Sequence, residues 1–386
     1  MPIAVYALAL MAFAFGTTEF IVSGILPAIS ADLSVSIPAA GLLVTGYAAG
    51  VAVGGPILAL LTARFPAKPM ILLLGLIFAA GQFLCAVAPD YTLLMVARLV
   101  SACGHGVFFG IASVAVSRLV PENRRGAALS LFVGGIAVAN ILGLPAGTAI
   151  GNAFGWRVSF VSIAVMALLA VLAIAFALPG VKGEPEPEPP LALQAAQLRN
   201  RPVWTSYLII ALVMVGSVSL GTFQVPLLIE ITRIEPGSVP LFLLLGGAGA
   251  VVGIFIGGRL ADWRPLEALV GILLAQVACY LAVMASAQHP LAMGISLFAS
   301  AAAGLAFSTP TQVRILNASN AAPNLASTFI STAYNVGIAG GALLGAVLLT
   351  TGMSYATMPV VGVACSSIAA LVTLASLWTE RRLALA

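Results

Sequence analysis

Residues 4–29 read AVYALALMAFAFGTTEFIVSGILPAI, a continuous apolar run whose one charged side chain is Glu19. A helix needs about 20 mostly apolar residues to cross a hydrocarbon layer about 30 Å thick, because it rises about 1.5 Å per residue. This stretch is long enough to span. It follows Met1-Pro2-Ile3 with no positive region ahead of it and runs too long for a secretory signal, so it is expected to stay in the chain as its first span.

Working outward, breaks at polar, charged and Pro-rich positions leave eleven more apolar segments. They fall at about 37–63, 68–88, 92–118, 126–150, 156–179, 203–229, 238–258, 266–287, 290–313, 324–350 and 355–378. The composition agrees: 61% of the 386 residues are hydrophobic and 7% charged, against roughly 25% charged in soluble domains. The fold class is an all-α membrane protein of twelve transmembrane helices. The net charge of +4 does not point to nucleic acid, because the sixteen Lys and Arg are scattered and form no basic run. Cys85, Cys103, Cys279 and Cys365 lie inside apolar runs with no CxxC spacing, which reads as small core residues; no disulfide, metal or cofactor is expected.

Lys and Arg accumulate in short cytoplasmic loops. Thirteen of them, from Arg64 and Lys68 to Arg381 and Arg382, lie beside one set of loops or the C-terminal tail, and only Arg157 and Arg233 beside the other. Both termini are therefore expected in the cytoplasm, in a cell inner membrane. Residues 180–190, GVKGEPEPEPP, have no apolar periodicity and read as an extended cytoplasmic linker, assigned to 181–202, between six-helix halves at 1–180 and 203–386. The halves echo one another: Gly16-Thr17-Thr18-Glu19 recurs as Gly221-Thr222-Phe223-Gln224, and Gly143, Gly147 and Gly151 are matched by Gly337, Gly341 and Gly345. Such internal repeats organise many transporters.

Glu19 is the one acid deep inside a span and Arg98 the one basic residue well inside one. A buried acid there faces a cavity, finds a partner or carries a proton, and Arg cannot shed its charge. Their similar depths suggest a direct or water-linked pair; a carboxyl bonded to Thr18, Ser23 or a neighbouring helix is the alternative. Ser101 and His105 follow Arg98 by three and seven positions, on the same helix face. That face is expected to line water, with His105 a second candidate for moving protons. Tyr47, Gln224, Gln312 and Asn335 are neutral polar groups within spans, and are read as cavity lining. Pro145 should bend helix 5 among glycines spaced for close helix contact, which suits either tight packing or a flexing helix. Asp262, ending Gly257-Gly258-Arg259-Leu260-Ala261-Asp262, reads as a conformational latch toward a helix N-terminus or an Arg.

These residues resemble the major facilitator superfamily, most closely its twelve-helix drug:proton antiporters in the sugar-efflux and chloramphenicol-efflux branch. The resemblance rests on Thr17-Thr18-Glu19-Phe20, on Arg98 with Gly104-His105-Gly106, on Gly143-Leu144-Pro145-Ala146-Gly147, on Gly155-Trp156-Arg157 and on the glycine ladder from Asn335 to Gly345. It implies two pseudo-symmetric six-helix bundles, with helices 1, 4, 7 and 10 around a central cavity, and alternating access. It also implies that Arg98 takes part in proton coupling and that the Pro145 region favours export. Ser101 and Ala102 depart from the Gln-Gly usual after that Arg. The cytoplasmic gate motif matches at Gly258 to Asp262, but Ala59 and Ala63 replace its Gly and Asp in the first half. The expected partners are a small, neutral or amphipathic substrate, protons and the lipid bilayer, in a monomer. An uptake permease or proton symporter is the nearest alternative. A membrane enzyme is set aside, because Glu19 and His105 are the only acid and imidazole in the spans and form no catalytic cluster. The topology is checked in intact cells: cysteine at Ser286 should react with an impermeant thiol reagent and cysteine at Gly183 should not, and the reverse pattern would overturn the orientation.

Overall fold

The computed structural model describes residues 1–62, 65–180, 200–319 and 323–385, and these contain helix and no strand. Among the described residues, twelve helices are long and apolar enough to cross a membrane. They are α1 (Ile3–Asp32), α2 (Ile37–Leu58), α3 (Ala67–Val87), α4 (Tyr91–Arg118), α5 (Glu122–Phe154) and α6 (Trp156–Ala177), then α7 (Arg201–Thr222), α8 (Pro236–Trp263), α9 (Pro265–Ala285), α10 (Pro290–Ala318), α11 (Phe329–Thr350) and α12 (Tyr355–Arg382). The chain divides into two compact units, Met1–Glu184 and Pro185–Ala386. The proposed linker lies almost wholly outside the described residues, and α7 begins at Arg201, inside the range assigned to the linker.

Helix ends follow local chemistry. Asp90 caps α4 by accepting from the Leu93 N–H at 2.8 Å, which satisfies one of the first-turn donors. Gly155 takes φ +93° between α5 and α6, a conformation costly for a side-chain-bearing residue. Pro145 does not simply kink its span. The helix widens into a π-turn at Ala139–Gly143 and resumes at Leu144–Phe154, so the extra residue absorbs the missing donor. In α10 the first helix stops at Ala306 and a second starts at Ser308. Pro310 has no N–H to offer the carbonyl four residues back, at Ala306.

Both units use one pairing scheme. In the first, α1 packs on α5 and α6, α2 on α4, and α3 on α4 and α6. In the second, α7 packs on α11 and α12, α8 on α10, and α9 on α10 and α12. Since lipid is as apolar as the helix faces, close backbone approach supplies much of the attraction, and small residues permit it. A Cβ added at Gly143, Gly147 or Gly151 would strike Thr17, Ile21 or Ile25 of α1. One at Gly337, Gly341 or Gly345 would strike Met214, Val215 or Phe223 at the corresponding seam. A third row, Gly249, Gly253 and Gly257 of α8, sits directly against the carbonyls of Phe298, Ala302 and Ala306 in α10; sequence reading did not single it out.

Ser286 proves a poor labelling position, because it is buried and donates to Ser296 at 3.1 Å. Gln288 is exposed and takes its place, while Gly183 lies outside the described residues and is replaced by exposed Gly180. The α8 seam gives a stability test. Gly253→Ala puts a methyl inside the Ala302 carbonyl, and overpacking of this kind costs about 1–3 kcal/mol. Thermal unfolding in detergent should show a clear drop for it and little change for Gly246→Ala, whose Cβ would meet nothing within 4 Å. Equal melting of the two variants would contradict the seam.

Candidate functional site

The first unit encloses a polar cluster built by four helices. Arg98 of α4 is 0% exposed, and its Nη1 donates to the Thr18 carbonyl at 2.7 Å and to the Thr18 hydroxyl at 3.0 Å. That hydroxyl in turn donates to Oε1 of Gln82 in α3 at 2.8 Å. From α2, the Tyr47 ring lies under the guanidinium, 4.1 Å from Cζ to the centroid. Such a cation–π contact contributes about 2 kcal/mol when desolvated. The Tyr47 hydroxyl is 3.0 Å from His105 Nδ1. The imidazole is boxed by Phe15 and Phe109, with centroids at 5.0 and 5.1 Å.

Glu19 is 8% exposed and follows Thr18 directly. Of the two arrangements expected for Glu19 and Arg98, direct or water-linked, the direct ion pair is not formed: the guanidinium is held by Thr18 and Tyr47, and the ion pairs among the described residues lie elsewhere. Three buried donors are left without an acceptor, Arg98 Nε, Arg98 Nη2 and Gln82 Nε2. An unmet buried donor costs about 1–3 kcal/mol, and more when charged, so the cluster is poised rather than saturated.

Ser101 does not line water in this structure. It is fully buried, donates to the Ala97 carbonyl at 2.8 Å, and fills the space beside Gly81. His105, although on the same face, is buried as the partner of Tyr47.

In the second unit the expected polar residues come from separate helical segments. Gln224 is not the counterpart of Glu19. The first glycine of each ladder meets Thr17 in α1 and Met214 in α7, so the place of Glu19 falls near Gly216, and Gln224 lies roughly two turns further on, in the short turn Gln224–Pro226. The shared letters matched out of register. Gln312 is exposed. Asn335 is buried and donates to the Ser331 carbonyl of its own helix at 3.0 Å, with its Oδ1 unmet. Asp262 is exposed and makes no ion pair among the described residues. The ion pairs near that end are Arg314–Glu380 at 2.8 Å and Arg381–Glu267 at 2.9 Å, and Arg314 also donates to Ser206 at 3.1 Å.

Sequence reading missed Gln82, Ser217 and Tyr280. Ser217 and Tyr280, 3.0 Å apart, join α7 to α9 as Thr18 and Gln82 join α1 to α3. Gln82 is the only amide in α3, a signal available from the sequence. At the end of the first unit opposite the α1 N-terminus, Arg157 pairs with Asp32, donates to the Ala88 carbonyl at 2.9 Å and stacks on Trp156 at 4.2 Å. This accounts for Gly155-Trp156-Arg157 as a strap across α1, α3 and α6. Among the described residues no group of His, Cys, Asp and Glu could hold a metal ion.

Twelve membrane helices in two like-built units, with a charged cluster sealed inside one of them, define a multi-pass membrane transporter. The chain belongs to the Major Facilitator Superfamily, whose family model matches residues 8–342. It is 36% identical over 370 residues to the inner membrane transport protein YdhP of Escherichia coli strain K12, covering 96% of this chain and 95% of that one. It is 32% identical to a chloramphenicol resistance protein of Streptomyces lividans, over 91% of each chain. A probable sugar efflux transporter of Mannheimia succiniciproducens is 31% identical over 88% of this chain and 85% of its own. In fold, the chain matches the crystal structure of a bacterial homologue of the human lysosomal transporter Spinster, in an inward-facing, unoccupied conformation, with TM-score 0.77, 18% identity and 96% of both chains covered.

Proposed function

We propose that the protein is a proton-coupled antiporter of the cell inner membrane that exports small neutral or amphipathic molecules, such as drugs or sugars, by alternating access, with both termini cytoplasmic. The observation that carries the reading is Glu19: a nearly buried carboxyl without an ion-pair partner among the described residues, one residue from the group that holds a buried Arg. A carboxyl so placed gains or loses its proton as the site opens to water on one side or the other. Arg98 tunes that exchange by its fixed charge. Inward proton flow supplies roughly 2.3 kcal/mol per charge at 100 mV, enough for about 50-fold accumulation before any pH gradient is added. Export of drugs or sugars is supported by the similarity to the chloramphenicol resistance protein and the probable sugar efflux transporter. A neutral or weakly charged substrate suits spans that offer Glu19 and Arg98 but no surplus of ionic partners.

Glu19→Gln keeps size and hydrogen bonding and removes titration. In inverted vesicles given a panel of drugs and sugars, the wild type should accumulate its substrate under an imposed pH difference and lose accumulation with an uncoupler. The variant should still exchange substrate down its gradient, with accumulation at least tenfold lower. Accumulation by Glu19→Gln at the wild-type rate would sink the proposal.

A further inference from the structure

We infer that Gln82 is a positioning residue for proton coupling: by holding the Thr18 hydroxyl it keeps a seat for Arg98 that competes with the carboxylate of Glu19. The inference rests on the reading of Glu19 given above.

The seat is visible in the hydrogen bonds. Nη1 of Arg98 is held by the Thr18 carbonyl and hydroxyl at 2.7 and 3.0 Å, and the hydroxyl proton is committed to Gln82 at 2.8 Å. A hydroxyl has one proton and two lone pairs. Once its proton points across to α3, its oxygen can only accept from α4, so Gln82 fixes the polarity of the whole chain from α4 through α1 to α3. Gln82, Thr18 and Arg98 are all 0% exposed, so no water competes for these bonds.

The seat is also incomplete. Arg98 Nε and Nη2 have no acceptor, and Glu19 has no ion-pair partner among the described residues although it is the next residue after Thr18. A guanidinium with two free donors beside an unpaired carboxyl has a second place to go. When Glu19 is ionised its carboxylate attracts the fixed charge; when it is protonated the Thr18 seat wins. Gln82 therefore sets the free-energy gap between the two arrangements without touching either charge. The titratable groups around the junction are Glu19 from α1, Tyr47 from α2, Cys85 from α3 and His105 from α4. The charged residues of α5 and α6, Glu122, Arg124, Arg125 and Arg157, lie at the helix ends.

The sign follows from the competition. Gln82→Leu loosens the Thr18 seat, leaves Arg98 more available to the Glu19 carboxylate, and should move the pH midpoint of driven transport about one unit toward acid, a tenfold change in proton concentration. Gln82→Glu strengthens the acceptor on α3, draws Arg98 away from Glu19, and should move the midpoint about one unit toward alkali. Packing damage lowers rates but does not produce opposite shifts from one position. Both variants are reconstituted in proteoliposomes with the substrate found in the vesicle panel, with gradient-free exchange and thermal unfolding measured alongside. If Gln82→Leu fails to fold, Gln82→Met, of similar length but without the amide acceptor, supplies the acid-shift arm. Midpoints unchanged from wild type, or shifted the same way in both variants, would overturn the inference. Glu19→Gln with wild-type coupling would instead overturn the reading beneath it, so the two failures are separable.

Discussion

A guanidinium that cannot lose its proton has been taken out of both water and lipid, and the first unit is organised around that fact. A charge at the centre of a span costs several kcal/mol unless it is solvated by the protein. Arg98 obtains that solvation from a helix carbonyl, a hydroxyl and an aromatic face contributed by two other helices. A third helix, α3, is tied in through Gln82. These partners come from α1, α2 and α3, so the charge can be housed only when those helices are already packed on α4. Burying the cation and assembling the unit are one event.

Close packing makes that housing rigid. The glycine rows let helices approach until backbone meets side chain or carbonyl, at the α1–α5 and α7–α11 seams and again between α8 and α10. Such seams hold helix register to within about one residue, which is what a 2.7 Å bond between residues eighty positions apart requires. The π-turn before Pro145 and the break before Pro310 are two of the places where a helix gives up regular hydrogen bonding. The second unit repeats the α1–α3 polar link with neutral groups, Ser217 and Tyr280, and builds its charge pairs near helix ends instead. In the proposed reading, the titrating chemistry falls to the first unit.

The spans were legible because membrane insertion is a composition rule: twenty apolar residues announce themselves wherever they pack. Glu19 and Arg98 were legible for the same reason, as lone charges against an apolar background. Their neutral partners were not. Thr18 and Gln82 meet only because α1 and α3 pack at one particular height, and no local pattern encodes a contact over sixty-four positions. Ser101 was misread because helical spacing gives the face a residue shares, not what packs on that face, and here the Gly81 backbone packs against the Ser101 hydroxyl. Gln224 was misplaced because four similar letters were weighed above the register of the glycine ladders. The α8 glycine row was present in the sequence, but only the carbonyls opposite give it meaning.

The central claim is that Glu19 titrates inside a sealed cluster whose cation is held by its neighbour. Infrared difference spectroscopy of the purified protein tests this without any substrate, because a buried protonated carboxyl has a stretching band distinct from those of solvated acids. On acidification across the pH range in which transport is driven, the wild type should gain such a band, and Glu19→Gln should lack it. A band that appears equally in both proteins, or that does not respond to pH in the wild type, would contradict the account.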